Sequence, residues 1–220
     1  MAAASRDRPG HRSGSGLIEV RQATRRFGKQ PIFADLDLDV QPGARLLLAG
    51  GNGSGKTTLL RCLAGTLALT TGRISVAGEP AGSPASRRLV GLCLAPEQGL
   101  YGRLSARDNL RLVARLRLPR RTVEPATTAV IEELGIEAYA DRPAEKYSAG
   151  MRARVSIARA LLGDPAVLLL DEPARSLDES GRALLWAALD RRRDLACVIA
   201  SHHREDRARC DSILALPVGR

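Results

Sequence analysis

Residues 46–65, LLLAGGNGSGKTTLLRCLAG, decide the fold of this chain. An apolar, strand-like run leads into a glycine-rich turn, and a Lys-Thr-Thr triplet then opens an apolar-periodic, helix-like run. Residues 50–57 satisfy the pattern G-x-x-x-x-G-K-[ST], and they do so in the strand–turn–helix context that the pattern requires. The segment therefore predicts a phosphate-binding loop that ends at a helix N-terminus.

The residue types of this loop suit phosphate chemistry. Glycines free backbone N–H groups to surround phosphate oxygens, and the helix N-terminus adds positive potential. Lys56 is predicted to reach the β- and γ-phosphate oxygens, and the Thr57 hydroxyl is predicted to ligate Mg²⁺. The remaining predicted nucleotide-binding residues are Asn52, Gly53, Ser54, Gly55 and Thr58.

A second candidate site lies at residues 167–173, VLLLDEP, where an apolar strand runs into two adjacent carboxylates. Charge at the end of a buried strand is costly unless a cation or a reaction uses it. Asp171 is predicted to help hold Mg²⁺. Glu172 is then the candidate general base, or the group that orients water, for attack on a γ-phosphate.

Short apolar runs alternate with helical patterns along the chain. Predicted strands cover residues 17–20, 44–49, 73–78, 89–94, 166–171, 197–201 and 212–216, and predicted helices cover 56–64, 106–116, 127–134, 151–162 and 179–190. Near-continuous apolar strands between helices indicate an α/β sheet that is covered on both faces. The stretch from about 105 to 147 has no clear strand and is predicted to be a helical insertion.

Length and composition limit the possible classes. A chain of 220 residues accommodates one sizeable core. Its net charge of +10 favours anionic partners, which could be nucleotide, nucleic acid or lipid headgroups. Four widely spaced cysteines without a C-x-x-C pair suggest neither a zinc knuckle nor a disulfide scaffold, which suits a reducing cytoplasm.

The sequence contains neither a signal peptide pattern at its N-terminus nor an apolar run long enough to cross a membrane. Residues 1–16 are rich in Arg, Pro, Gly and Ser without an apolar core, which predicts a disordered tail rather than a signal peptide. No apolar run approaches the roughly 18 residues that cross a bilayer. If the protein serves a membrane, we expect another chain to cross it.

Further motifs follow in a fixed order: YSAGM at 147–151, SLD at 176–178 and SHH at 201–203. Together with GGNGSGKTT and VLLLDEP, this series resembles the ATP-binding subunits of ABC transporters, over residues 17–220. The resemblance implies an α/β P-loop NTPase with a RecA-like core, a mixed sheet and a helical signature subdomain at about 97–160. It also implies ATP and Mg²⁺ as cofactors.

The same resemblance implies roles for single residues. Ser148 and Gly150 would grip the γ-phosphate in trans, because two copies in this family pair head to tail around two ATP molecules. Asp178 falls in the loop that communicates between the paired sites, and His202 matches the switch histidine at the γ-phosphate. Phe27 falls where the family stacks an aromatic ring on adenine, although a lone Phe is also an ordinary core residue.

The resemblance further implies how the protein works in the cell. We expect an ATP-dependent homodimer on the cytoplasmic face of the membrane, powering transport through a separate integral membrane permease. The short chain favours a stand-alone bacterial exporter subunit, with no nucleic acid partner. The alternatives are an ABC-type ATPase acting on ribosomes or DNA, and a nonhydrolytic binding module. The second is disfavoured because the residues of the hydrolytic site are intact: Lys56, Asp171, Glu172 and His202.

Three positions depart from the family pattern. The signature is YSAGM rather than LSGGQ, which adds one methyl group at Ala149, and Ser201 replaces Thr before the switch histidine. In the segment that corresponds to the Q-loop, Ala95 or Pro96 occupies the glutamine position, and Gln98 is displaced. Metal coordination by that glutamine, and coupling through this loop (Ala95-Pro96-Glu97-Gln98), are therefore left open by the sequence.

Ser105 and Asp108 form an S-x-x-D capping box at the start of a predicted helix. Arginines recur on this helix and just before it, at 103, 107, 111 and 115, while Leu112, Val113 and Leu116 are expected to form its buried side. The arginines form either a solvated basic face or a surface for anionic lipid or an acidic partner loop.

Overall fold

A computed structural model describes residues 16–216 of the chain. The predicted tail, residues 1–16, lies outside this range except for Gly16, which is buried. The strands are β1 Ile18–Phe27, β2 Gln30–Val40, β3 Arg45–Ala49, β4 Thr71–Val76, β5 Glu79–Pro80, β6 Val90–Cys93, β7 Val167–Asp171, β8 Ala196–Ala200 and β9 Ser212–Ala215. The α-helices are α1 Lys56–Leu63, α2 Pro84–Leu89, α3 Ala106–Arg117, α4 Val123–Glu133, α5 Ala149–Leu161, α6 Glu179–Asp190 and α7 Arg204–Arg207.

The strands form two sheets. A parallel sheet has the order β6-β7-β8-β3-β9, and an antiparallel sheet has the order β2-β1-β4-β5. This architecture confirms the predicted α/β class, with its parallel and antiparallel strands separated between the two sheets. All seven predicted strands are present, whereas the strand β2 and the two-residue strand β5 were not predicted.

The central strands β7 and β8 are buried on both faces, as their apolar sequences indicate. On β7, Leu168 and Leu170 pack in one hydrophobic cluster with side chains of the helical segment between β6 and β7. Val167 and Leu169 pack in a second cluster with side chains of α1 and of the antiparallel sheet. The period of two along the strand therefore divides the interior into two hydrophobic clusters. The helical segment between β6 and β7 contributes one of them.

The helix α3 shows both a confirmed and a wrong prediction. Ser105 caps the helix by accepting a hydrogen bond from the Asp108 N–H at 3.0 Å, as the capping box predicts. However, Leu116 is 81% exposed and Leu112 38% exposed, so they do not form its buried side. The buried positions centre on Leu110; because successive residues rotate by about 100°, Leu112 lies on nearly the opposite face of the helix.

Two of the four arginines near α3 have partners within the chain. Arg107 pairs with Asp141 at 2.7 Å, and Arg111 pairs with Glu124 at 2.7 Å. The hydrogen bond from Arg111 lowers the pKa of the Glu124 carboxyl group. These pairs favour the solvated basic face over an anionic docking surface.

Among residues 16–216, no helix combines the length and the apolar character that a membrane crossing requires.

The parallel sheet and the helix α5 pack closely at Gly91 on β6. A Cβ atom at this position would lie 2.1 Å from the backbone oxygen of Ala160 on α5, and 2.9 Å from the Leu168 side chain. Only glycine allows α5 to pack this closely on the strand. The position thus fixes the helix that follows YSAGM against the parallel sheet.

We predict that Gly91→Ala destabilises the protein by about 1–3 kcal/mol, because the backbone of α5 has to move to admit the methyl group. Urea unfolding of the full chain, followed by circular dichroism, measures this loss. Gly102→Ala is the matched control, since a Cβ atom there meets the Glu145 side chain at an ordinary 3.5 Å. Equal unfolding midpoints for wild type and Gly91→Ala would contradict the close packing.

Candidate nucleotide-binding and catalytic site

The glycine-rich loop joins the end of β3 to the start of α1, as predicted. Lys56, the first residue of α1, is 8% exposed, and its Nζ donates to the backbone oxygens of Gly50 at 2.7 Å and Gly51 at 3.0 Å. The ammonium group is thereby held across the loop before any nucleotide arrives. The buried Ser54 hydroxyl has no hydrogen-bond partner within residues 16–216, so this part of the loop contains an unsatisfied polar group.

Two glycines of the loop are required by geometry. Gly55 has φ +94°, and a Cβ atom there would lie 2.4 Å from Cγ2 of Ile32. At Gly50 a Cβ atom would lie 2.5 Å from the Ser54 hydroxyl oxygen. Side chains at either position would close the cavity that the backbone N–H groups face.

Thr57 and Asp171 come together as the sequence predicts. The Thr57 hydroxyl donates to Oδ2 of Asp171 at 2.5 Å, which joins the start of α1 to the end of β7. Burial is the main cause that raises the pKa of Asp171; the Thr57 hydrogen bond opposes it, and the charge of Glu172 adds to it. A hydroxyl and a carboxylate are the hard oxygen donors that Mg²⁺ prefers, so the pair fits this ion.

Glu172 and His202 also meet, although 30 residues separate them in the sequence. Nδ1 of His202 lies 2.9 Å from each carboxylate oxygen of Glu172, with hydrogen-bond geometry to Oε1. The Glu172 N–H donates to the oxygen of Ala200, the last residue of β8, at 2.8 Å. Pairing of β7 with β8 thus brings both side chains to one edge of the sheet.

The backbone at Glu172 is strained. Its φ of +47° lies in the left-handed region, which non-glycine residues rarely occupy. Strain of this kind persists where the surrounding structure enforces it, and such positions cluster at functional sites. The strained turn directs the carboxylate away from the line of β7 and toward His202.

Asp171 and Glu172 line a cleft of about 800 Å³, whereas His202 is not among the described residues that line it. The cleft walls also include the whole run from Asn52 to Thr58 and the segment 94–98, which contains Gln98, together with Ile32, Arg61 and Arg175, which the motifs did not single out. Arg175 follows the acidic pair by three residues and is exposed. Its cationic side chain could have been noticed in DEPARSLD, where it directly precedes the SLD motif.

The signature residues lie elsewhere. Ser148 caps α5 by accepting a hydrogen bond from the Met151 N–H at 3.2 Å, and Gly150 packs against Ser176, whose oxygen a Cβ atom would approach to 2.8 Å. Among the described residues, neither Ser148 nor Gly150 lines the cleft of its own chain. One chain therefore does not bring the signature to its own phosphate loop.

Asp178 and Phe27 likewise lie outside the described cleft lining. Asp178 caps α6, accepting hydrogen bonds from the Gly181 N–H and from Arg154, each at 2.8 Å, and these contacts lower its pKa. Phe27, at the end of β1, is 49% exposed, and the Arg25 guanidinium lies 4.4 Å from its ring centroid. The Phe27 ring is a surface group rather than a core residue.

The segment after β6 is tied to the SLD motif. Ala95 has φ +47°, and the Gln98 N–H donates to the Ala95 oxygen at 2.8 Å, which closes a turn around Pro96. The Ser176 hydroxyl donates to Oε1 of Glu97. This contact between the two segments was not predicted, since no local motif relates residues 97 and 176.

Comparison with known proteins agrees with this geometry. The family model described as ABC transporter matches residues 33–175. The chain is 32% identical over 215 residues to the Nod factor export ATP-binding protein I of Rhizobium meliloti, an alignment that covers 96% of this chain and 64% of that protein. It is 38% identical over 190 residues to the phosphate-import ATP-binding protein PhnC of Mycolicibacterium smegmatis, covering 80% and 72% of the two chains.

The fold is also found among solved structures. A dimeric ATP-binding cassette in a post-hydrolysis state, bound to ADP and Pi, superposes with a TM-score of 0.80 at 20% identity, covering 90% of this chain and 94% of that one. The P-loop NTPase fold is thereby established independently of the motifs. By its sequence, the chain belongs to the ABC transporter family.

Proposed function

We propose that this chain hydrolyses ATP and thereby powers transport through a separate membrane protein. The observation that carries the proposal is that Thr57 and Asp171 form one pair in the cleft, and that Glu172, which lines the same cleft, forms a second pair with His202. The first pair supplies oxygen ligands beside the phosphate loop. The second supplies a carboxylate oriented by an imidazole, which is the arrangement that general-base catalysis needs.

The residues have separate tasks in this proposal. Lys56 and the N-terminus of α1 bind and orient the phosphates. Glu172 accepts the proton of the attacking water through its carboxylate, while His202 holds that carboxylate in place through Nδ1. Thr57 and Asp171 would hold Mg²⁺, which neutralises charge on the phosphate oxygens when it is bound.

We propose that two copies are needed to complete each site. Ser148 and Gly150 are not among the described residues that line the chain's own cleft; Ser148 caps α5 and Gly150 lies in its first turn, and the N-terminus of this helix is suited to a phosphate. The related cassette that superposes on this chain is a dimer, which supports the same arrangement here. In a two-fold dimer, the signature of each copy would cover the ATP of the other.

The membrane partner would contact the surface beside the cleft. Tyr101 is 61% exposed and Leu104 37% exposed, in the segment that runs from the Ala95 turn to α3. Exposed apolar side chains at this place offer contacts to a permease on the cytoplasmic face of the membrane. Relatives carry both export and import names, so the proposal covers transport in either direction.

We predict that Glu172→Gln lowers the rate of ATP hydrolysis by about 10²–10⁴-fold, because the amide cannot accept the proton of water. The variant is expected to elute as a dimer in size-exclusion chromatography with ATP and Mg²⁺. Glu132→Gln, on the exposed side of α4, is the control and keeps wild-type turnover. An exclusively monomeric Glu172→Gln protein, in buffer that supports wild-type turnover, would argue against the composite site.

A further prediction concerns Gln98. We expect Gln98→Ala to leave basal hydrolysis within a few-fold of wild type. The fixed φ of Pro96 and the turn closed by the Gln98 N–H and the Ala95 oxygen keep Gln98 from taking the place of the family's glutamine beside the metal. Thr57 and Asp171 already bond to each other without it. Steady-state phosphate release measures the effect. A loss as large as that of Glu172→Gln, in folded protein, would show that Gln98 serves the metal.

A further inference from the structure

Three potential metal ligands converge at the edge of the cleft. Glu172, His202 and His203 each offer one ligand atom, and these atoms lie within 4.8 Å of one another. The two imidazole rings stack, with centroids 4.4 Å apart and planes inclined by 29°. The sequence comparison with the family assigned no role to His203.

One polar atom of this cluster, Nε2 of His203, is buried and has no hydrogen-bond partner among the described residues. Oε2 of Glu172 is also buried without a geometric hydrogen bond, and its contact is the ion pair with Nδ1 of His202 at 2.9 Å. Buried polar atoms are nearly always paired, so the unpaired ring nitrogen of His203 requires an explanation. A cation bound between Glu172 and His203 would satisfy the carboxylate oxygen and the neutral imidazole nitrogen together.

The ligands are held by the backbone around them. Glu172 is fixed by its strained φ and by its hydrogen bond to Ala200. The His203 N–H donates to the Ser201 hydroxyl at 3.1 Å, and that hydroxyl donates to Oδ2 of the buried Asp206 at 2.5 Å. His202 is 63% exposed and can turn toward an ion. The cluster thus combines two fixed ligands with one adjustable ligand.

The donor types select the kind of ion. Two imidazoles and one carboxylate form the three-ligand set that Zn²⁺ accepts with one position left open, whereas Mg²⁺ prefers oxygen donors alone. Tetrahedral Zn²⁺ brings its ligand atoms to roughly 3.3–3.5 Å from one another, so atoms that now lie within 4.8 Å have to close in by up to about 1.5 Å, and the exposed His202 side chain can supply this movement. We propose that Glu172, His202 and His203 form a binding site for Zn²⁺, and that the bound ion stops ATP hydrolysis.

The inhibitory part rests on the proposed function. A bound Zn²⁺ occupies the Glu172 carboxylate and Nδ1 or Nε2 of His202, so neither group is free to act on water. It does not require the Mg²⁺ ligands Thr57 and Asp171. The site would therefore make turnover sensitive to Zn²⁺ without a change in the phosphate loop.

Binding is tested first, on the full chain without nucleotide, by titration calorimetry with Zn²⁺ and by the visible absorption of Co²⁺ as a tetrahedral probe. Wild type is expected to bind one ion, and His203→Gln to bind at least about tenfold more weakly. His11→Gln is the matched control, since His11 is the third histidine of the chain, and it should bind like wild type. Equal affinity in wild type and His203→Gln would overturn the site.

Hydrolysis is tested second, with Mg²⁺-ATP and increasing Zn²⁺. Wild type should lose turnover and recover it when a chelator removes Zn²⁺, whereas His203→Gln should keep its basal turnover and resist the same Zn²⁺ concentration. Equal inhibition of both proteins would overturn the inhibitory role. Absence of turnover in wild type before Zn²⁺ is added would count against the proposed function alone, because the binding titration decides the metal site separately.

Discussion

The register between β7 and β8 is the constraint on which the site depends. Asp171 pairs with Ala200, and the Glu172 N–H then bonds to the Ala200 oxygen. Because both strands are buried on both faces, a shift of one residue would exchange Leu168 and Leu170 with side chains that pack in the other cluster. The core therefore fixes which residues leave the strands at this edge, and with them the distance between Glu172 and His202.

Much of this could be predicted from the sequence because the signals are local. The phosphate loop needs glycines, a lysine and a threonine at fixed spacing, and the structure places Lys56 and Thr57 accordingly. The strand β2 was missed, although Leu36, Leu38 and Val40 alternate with aspartates, since its edge position in the antiparallel sheet leaves its apolar content low. The buried face of α3 was misassigned because it packs through Leu110 together with the small residues Ala106 and Ala114, whereas Leu112 and Leu116 lie outside this face.

Sequence motifs do not predict the contacts between segments that are distant along the chain. Ser176 bonds to Glu97, and Arg175 lines the cleft, only because the turn after β6 and the turn after β7 end side by side in the parallel sheet. None of these three residues belongs to a periodic pattern from which the contact could have been predicted. Contacts of this kind follow from strand order, which the sequence suggests only through the family resemblance.

At the end of β7, two adjacent carboxylates have different surroundings: Asp171 faces an oxygen donor, and Glu172 faces an imidazole nitrogen. Asp171 continues the strand and turns to Thr57, an oxygen donor, while the strained φ of Glu172 turns its carboxylate to the imidazole of His202. Like charges next to each other are unfavourable, and Glu172 indeed contributes to the raised pKa of Asp171. Directing the two carboxylates to different partners reduces this repulsion. The same geometry gives Asp171 the oxygen surroundings that suit Mg²⁺ and gives Glu172 the nitrogen surroundings that suit catalysis or a softer ion.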